Sequence, residues 1–140
     1  MDSGSWYPAQ AIINLGALAI NFSVIRKIIG DGVKILSVVK ADAYGHGAVP
    51  VARRLQKEGV DMFGVATVQE GILLREAGVY LPILILGPTS PPQEEALFHT
   101  NLTPVISSLA QAERLDSLGR LLNRTLPVHI KIDTGMGRLG

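Results

Sequence analysis

The sequence predicts an α/β fold of about five strand–helix units. This makes it the N-terminal part of a (β/α)8 TIM-type barrel, with an open doubly wound sheet as the other architecture of the same rhythm. Three observations predict it. Short apolar runs rich in β-branched residues recur at roughly regular intervals along the 140 residues. Helical periodicity with capping residues fills each gap, and glycine-rich polar segments follow the first and the last of the runs. Strand and helix in alternation is the pattern of right-handed parallel crossovers. A complete barrel takes about 250 residues, so under the barrel reading residues 1–140 are the N-terminal portion of one. The chain's close at Gly140, directly after a glycine-rich loop, fits that truncation.

The elements follow in order. Residues 1–10 read as a loose leader with Gly4 and Pro8, and Ala11 to Ile13 as a short extended piece. Asn14 offers an N-cap. From Leu15 to Ile29 the residues Leu15, Leu18, Ala19, Phe22, Ile25 and Ile29 recur at three- and four-residue steps, one face of a helix, which Gly30-Asp31-Gly32 ends. A strand over about 33–40 (Val33, Ile35, Leu36, Val38, Val39) reads as buried on both faces. A helix over 48–57 closes at Gly59, and Met62 to Ala66 form the next strand. Thr67 caps a helix with Val68, Ile72, Leu73 and Ala77 inward, ending at Gly78. Ile83 to Leu86 make a strand opened by Pro82. Ser90 with Pro91 and Pro92 starts a short helix, Thr103 to Ile106 a weaker strand, and Ser107 or Ser108 a helix carrying Leu109, Ala112, Leu115, Leu118 and Leu122. Residues 127–132 are the last strand.

Composition narrows the function classes. The residues are 47% hydrophobic, enough for a core, and 13 basic side chains against 12 acidic leave a net charge of +1. No stripe of Lys/Arg interleaved with aromatics is present, which argues against a nucleic-acid partner. The absence of cysteine excludes a disulfide framework and Cys-ligated zinc, and suits a reducing cytoplasm. His46, His99 and His129 lack metal-ligand spacing. Met1 to Tyr7 do not form a signal peptide, and no apolar run approaches the roughly 18–20 residues of a spanning helix. A cytoplasmic protein without a membrane partner is expected.

Two constellations carry chemistry. Lys40 ends the first apolar strand and is followed by Tyr44, Gly45, His46 and Gly47. Ligands in parallel α/β folds bind at the carboxyl ends of strands, and a partly desolvated amine there is suited to attack a carbonyl. The tyrosine hydroxyl can donate to an anion such as phosphate. The bland alternative is a surface lysine beside a turn. Because the lysine precedes the glycines, this is not a Walker loop. The second constellation is Lys131-Ile132-Asp133-Thr134-Gly135-Met136-Gly137-Arg138. His129, Lys131 and Asp133 alternate onto one face, most easily the interior near a barrel mouth, and Arg138 offers a planar fork to a carboxylate or phenolate. The alternative is a solvated strand end. Asp42 reads as a turn former or a helix-proximal acid, and His46 as a turn residue.

Val39-Lys40-Ala41-Asp42-Ala43-Tyr44-Gly45-His46-Gly47 closely resembles the pyridoxal-phosphate lysine motif of bacterial alanine racemases. Lys131 to Gly140 resembles a second hallmark of that family. Phe63 to Thr67 with Glu70, Leu74-Arg75-Glu76-Ala77-Gly78, and Pro82 to Gly87 match further pieces in the right order. The resemblance covers nearly all of the chain and implies a pyridoxal 5'-phosphate racemase with an eight-stranded barrel, a C-terminal β domain absent from residues 1–140, and a homodimer. It implies that Lys40 holds the cofactor and is one of two acid/base groups, that Tyr44 bonds the cofactor phosphate, and that Leu86 lines the cofactor. It likewise places Arg138 near the phenolic oxygen and the substrate carboxylate, held by a carbamylated Lys131. The resemblance assigns the second base to a tyrosine of the partner's C-terminal domain, so residues 1–140 alone are expected to be inactive. The implied reaction interconverts L-alanine and D-alanine, supplying D-alanine for peptidoglycan. Related barrel enzymes with the same cofactor, a serine racemase or an amino-acid decarboxylase, and a non-catalytic pyridoxal-phosphate carrier are the alternatives. The Gly-Met-Gly-Arg segment disfavours the decarboxylase and the carrier. Gln10-Ala11-Ile12-Ile13-Asn14-Leu15 departs from the family's usual Trp-x-Glu-Ile-Asp-Leu, and Asp42 stands where asparagine is also common.

Overall fold

The computed structural model describes residues 10–140, so the leader expected before Gln10 lies outside the described residues. The element order is α1 (Leu15–Ile29), β1 (Leu36–Val38), a short turn-like α2 (Lys40–Gly45), α3 (Ala48–Lys57), β2 (Met62–Val65), α4 (Val68–Glu76), β3 (Ile83–Ile85), α5 (Pro91–Thr100), β4 (Thr103–Ile106), α6 (Leu109–Leu122) and β5 (His129–Ile130). The caps act where the local chemistry puts them. Asn14 Oδ1 accepts from Ala17 N (3.0 Å), Thr67 and Glu70 form a reciprocal capping box, and ahead of Pro91 and Pro92 the Gln93 side chain reaches back, its Oε1 accepting from Ser90 N (3.0 Å) and Ser90 Oγ (3.0 Å). Ser108, of the two serines available, accepts from Gln111 N. The Asn14, Thr67 and Ser108 oxygens each satisfy a helical N–H that has no partner of its own.

All five strands are parallel and lie in the order β1-β2-β3-β4-β5. That order decides between the two architectures. A doubly wound sheet starts in its middle and reverses direction, whereas strands laid down in sequence by same-handed crossovers place every helix on one face. The five strands are therefore a partial barrel. Register assigns the faces: Phe63 pairs with Ile83, and Val65 with Ile85, which pairs with Pro104. Phe63, Val65, Ile83 and Ile85 are fully buried under the helices. The opposite face carries Leu36 and Val38 on β1, Gly64 on β2, Leu84 on β3, Thr103 and Val105 on β4, and His129 on β5. This inner face has no covering layer among the described residues. No helix among them is long and apolar enough to cross a membrane.

Several expectations change. Ala11–Ile13 form no strand, and Ile12 is 85% exposed. The strand expected over 33–40 is only Leu36–Val38, with Val33 exposed, because β1 is a sheet edge paired on one side alone. It is not buried on both faces. On α4 the inward stripe is Val68, Gly71 and Leu74, and Leu73 faces outward. A Cβ on Gly71 would stand 2.8 Å from Leu102 Cδ2 and 3.2 Å from Ile85 Cδ1, so the missing side chain brings the helix onto the sheet along that line. Leu109 on α6 and Ile25 on α1 are exposed although both continue an apolar stripe, and Ile130 on β5 has no helix over it.

Charged side chains fasten the loops at the amino ends of the strands. Arg26 donates to Val33 O (2.7 Å) and to Asp61 Oδ2 (2.7 Å), and Asp61 Oδ2 also accepts from Ile35 N (2.7 Å). The Ile35 amide and then the Arg26 guanidinium hold the Asp61 carboxyl below its ordinary range. Between α5 and α6 the buried Glu94 pairs with Arg114 (2.9 Å).

Candidate functional site

The last rung of the β1–β2 ladder is Val39 N–H donating to Gly64 O at 2.8 Å. Beyond it the chain leaves the sheet abruptly. Ala41, Asp42, Ala43 and Tyr44 all adopt left-handed dihedrals, with φ 51–55° and ψ 39–49°. A left-handed turn costs about 1–2 kcal/mol per non-glycine residue, so four in succession persist only where surrounding contacts over-determine them. Gly45 and Gly47 also have positive φ and complete the turn. Ala43 N donates to Val39 O (2.9 Å) and Gly47 N to Asp42 O (2.8 Å). Asp42 Oδ1 accepts from Ala48 N (2.6 Å), capping α3 across the turn, so it is both turn former and helix-proximal acid. His46 Nδ1 donates to Ala43 O (2.9 Å) from the far side.

This turn sets the place of the sequence-singled residues. Lys40, half-buried, is its first residue and stands two positions past Val38 on β1. Val38, Gly64, Leu84 and Thr103 form one row across the inner face. Two residues further along the strands the row reads Ala66, Leu86 and Val105, and Val105 pairs with His129. Leu86 keeps the β3 alternation, its N–H donating to Val65 O (2.8 Å), and Lys131 keeps that of β5, its N–H donating to Ile106 O (2.8 Å). Leu86, His129 and Lys131 therefore share the inner face at the carboxyl ends of the strands. Tyr44 is 61% exposed and borders a cavity of about 420 Å³ along the β1 edge, next to Val38, Val39 and His46. Arg138 is exposed in the loop after β5, four strands across the sheet from Lys40. Among the described residues none of Lys40, Lys131 and Arg138 is engaged in an ion pair.

The Arg138 loop is organised by Asp133. Its Oδ1 accepts from Gly135 N at 2.8 Å, a turn in which a short carboxylate mimics backbone. The Gly135 amide first, then those of Gly137, Met136 and Arg138, hold its carboxyl below the ordinary range. A folded-state pKa below the unfolded value of about 3.9 gives stabilisation that is complete above the unfolded value and lost as pH falls through the folded one. Gly135 amide exchange, measured by NMR against its intrinsic rate, is expected to lose protection as pH falls below the ordinary carboxylate range. Asp133→Ala should show that loss already at neutral pH. Wild-type protection in the variant would refute the assignment. Among these loop-holding carboxylates, the Asp-x-Gly spacing could have signalled Asp133; nothing local signals a left-handed turn over Ala-Asp-Ala-Tyr.

Comparison with known proteins adds to this geometry. The model of the family described as alanine racemase, N-terminal domain, matches residues 13–140. The chain belongs to this family. It is 47% identical over 133 residues to alanine racemase 1 of Caldanaerobacter subterraneus subsp. tengcongensis, covering 95% of this chain and 34% of that protein. It is 49% identical over 133 residues to the alanine racemase of Geobacter sulfurreducens, covering 95% of this chain and 35% of the relative. Among solved structures, the alanine racemase of Clostridium difficile 630 in complex with cycloserine superposes with a TM-score of 0.93 at 43% identity, over 97% of this chain and 37% of that one. The chain thus spans about a third of the length of the curated relatives it matches. Within the alanine racemase N-terminal domain family pyridoxal phosphate is the general cofactor, and the partial barrel seen here is the shared fold.

Proposed function

We propose that this chain is the cofactor-anchoring part of an alanine racemase, acting on a small amino acid with pyridoxal 5'-phosphate. The observation that carries the reading is Lys40, displayed at the carboxyl end of β1 by a left-handed turn, beside the inner face that bears Leu86 and Lys131. The donor set fits the cofactor's chemistry. An amine, a phenol and a guanidinium, none neutralised by an ion pair among the described residues, suit a group with an aldehyde, a phosphate and a phenolic oxygen. Gly64 leaves the inner row low: a Cβ there would meet Leu36 Cδ2 at 2.9 Å and Leu86 Cδ1 at 3.2 Å.

In this reading Lys40 holds the cofactor through its amine and moves a proton at the substrate's Cα on one face. Tyr44 donates its hydroxyl to the phosphate. Arg138 binds the phenolic oxygen and the substrate carboxylate, Lys131, carbamylated, orients Arg138, and Leu86 is an apolar wall. When bound, the cofactor supplies an electron sink for the charge left at Cα. The opposite face needs a second base, which the reading assigns to a tyrosine in a C-terminal β domain of the partner subunit of a cytoplasmic homodimer. Residues 1–140 alone then racemise no alanine.

Borohydride reduction of the cofactor-loaded polypeptide that carries this chain in full length, followed by peptide mass spectrometry, is the test. Modification is expected on Lys40. Modification concentrated on Lys27, Lys34 or Lys57 instead would overturn the assignment.

A further inference from the structure

Glu70 occupies the N3 position of the α4 capping box, and in such a box one carboxylate oxygen suffices to reach back to the N-cap backbone. Oε2 does this, accepting from Ala66 N (2.7 Å) and Thr67 N (3.1 Å). The other oxygen serves a different part of the fold. Oε1 accepts from Ala41 N at 2.7 Å, 29 residues away and directly after Lys40.

The β1–β2 ladder explains what this contact replaces. Val38 pairs with Gly64, so the next parallel bridge would join Lys40 to Ala66. Its two rungs would be Ala66 N–H to Val39 O and Ala41 N–H to Ala66 O. Neither forms. Val39 O is taken by Ala43 N within the left-handed turn, and Ala66 O by Gly87 N at 3.1 Å. Both donors thus released, Ala66 N–H and Ala41 N–H, are accepted by the two oxygens of Glu70. The carboxylate stands in for the missing bridge, and β1 leaves β2 at Lys40 with both released donors still partnered.

We propose that Glu70 is a positioning residue for Lys40, whose carboxylate replaces the Lys40–Ala66 bridge and fixes the backbone from which the amine projects. The inference rests on the proposed role of Lys40 as cofactor anchor. An amide cannot substitute: glutamine has one acceptor and one donor end, so either Ala41 or the Ala66–Thr67 pair would face an NH2 group. Aspartate keeps the charge but is one methylene too short to bridge both sides.

The test uses the full-length polypeptide that carries this chain, with three variants and two readouts. In Glu70→Gln, exchange of the Ala41 amide is expected to accelerate about tenfold or more, the loss of one hydrogen bond to a charged acceptor. Borohydride trapping of pyridoxal phosphate at Lys40, normalised to the exposed Lys57, should fall about tenfold for the same reason. Thr67→Ala removes the hydroxyl that accepts from Glu70 N (3.2 Å) without touching Ala41. It should lower the thermal transition while leaving Lys40 trapping at the wild-type level. Glu70→Asp carries the same expectation as Glu70→Gln and replaces it if the glutamine variant does not fold. Wild-type trapping and Ala41 exchange in the Glu70 variants would overturn the positioning role. Equal losses in Thr67→Ala would overturn it too, by reducing Glu70 to a helix cap. Failure of the wild type itself to prefer Lys40 over Lys57 would instead overturn the cofactor reading, so the two failures are distinguishable.

Discussion

Lys40→Ala is expected to cost at least about 10³-fold in alanine racemisation by the full-length polypeptide that carries this chain. Proton transfer by a positioned side chain alone contributes about 10²–10⁴-fold, and in the proposed site the same amine also holds the cofactor. Lys40→Arg should lose as much. Arginine keeps a positive charge at the carboxyl end of β1, but its guanidinium does not give up a proton at any working pH. The pair separates two meanings of a strand-end cation: an electrostatic role survives in the arginine variant, and an anchoring or proton-moving role does not. The measurement is exchange of the alanine Cα proton with deuterated solvent, followed separately from each enantiomer. In the proposed site Lys40 serves one face only, so in Lys40→Ala the exchange that depends on that face should vanish first. Activity within tenfold of wild type in either variant would remove Lys40 from the chemistry.

The sequence was most legible where the physics is local. Asn14, Thr67 and Ser108 cap the helices because a short side-chain oxygen meets an amide three residues away. The strands β2, β3 and β4 emerge within a residue of their expected bounds because their apolar runs are broken by glycine and proline. Non-local causes were illegible. Ala41, Ala43 and Tyr44 have no preference for positive φ, and the turn they form is held by contacts such as Ala41 to Glu70, 29 residues away. Gly71 adds nothing to an apolar count, yet its bare Cα decides which stripe of α4 meets the sheet. Of the candidate site, the common face of Leu86, His129 and Lys131 follows from strand alternation. Arg138 sits in a loop where alternation ends, so the sequence offered its planar fork but not its place.

Arg75→Ala carries the largest expected effect on stability, about 3 kcal/mol. The guanidinium spends four hydrogen bonds on main-chain carbonyls: Nε to Thr100 O (2.9 Å), Nη1 to Val79 O (2.7 Å) and Leu81 O (2.7 Å), and Nη2 to Asn101 O (2.9 Å). Thr100 is the last residue of α5 and Asn101 its left-handed cap, where helical carbonyls lack intrahelical partners and the negative end of the helix dipole favours a cation. Val79 and Leu81 belong to the loop that leads into β3. One side chain thus ties the end of α5 to the start of β3. Burial lowers the Arg75 pKa, but the guanidinium remains a cation at neutral pH. Each bond to a charged donor is worth about 1.5–3 kcal/mol; water reaches the half-exposed site and replaces part of that, which brings four bonds down to the figure above. Arg75→Lys should recover less than half of the loss, since an ammonium is a point donor and cannot span two loops as the planar fork does. Thermal denaturation followed by circular dichroism should place the alanine variant about 10 °C below wild type, with the lysine variant between them. A lysine variant as stable as wild type would show that charge at the α5 terminus, rather than the four-carbonyl geometry, is what Arg75 contributes.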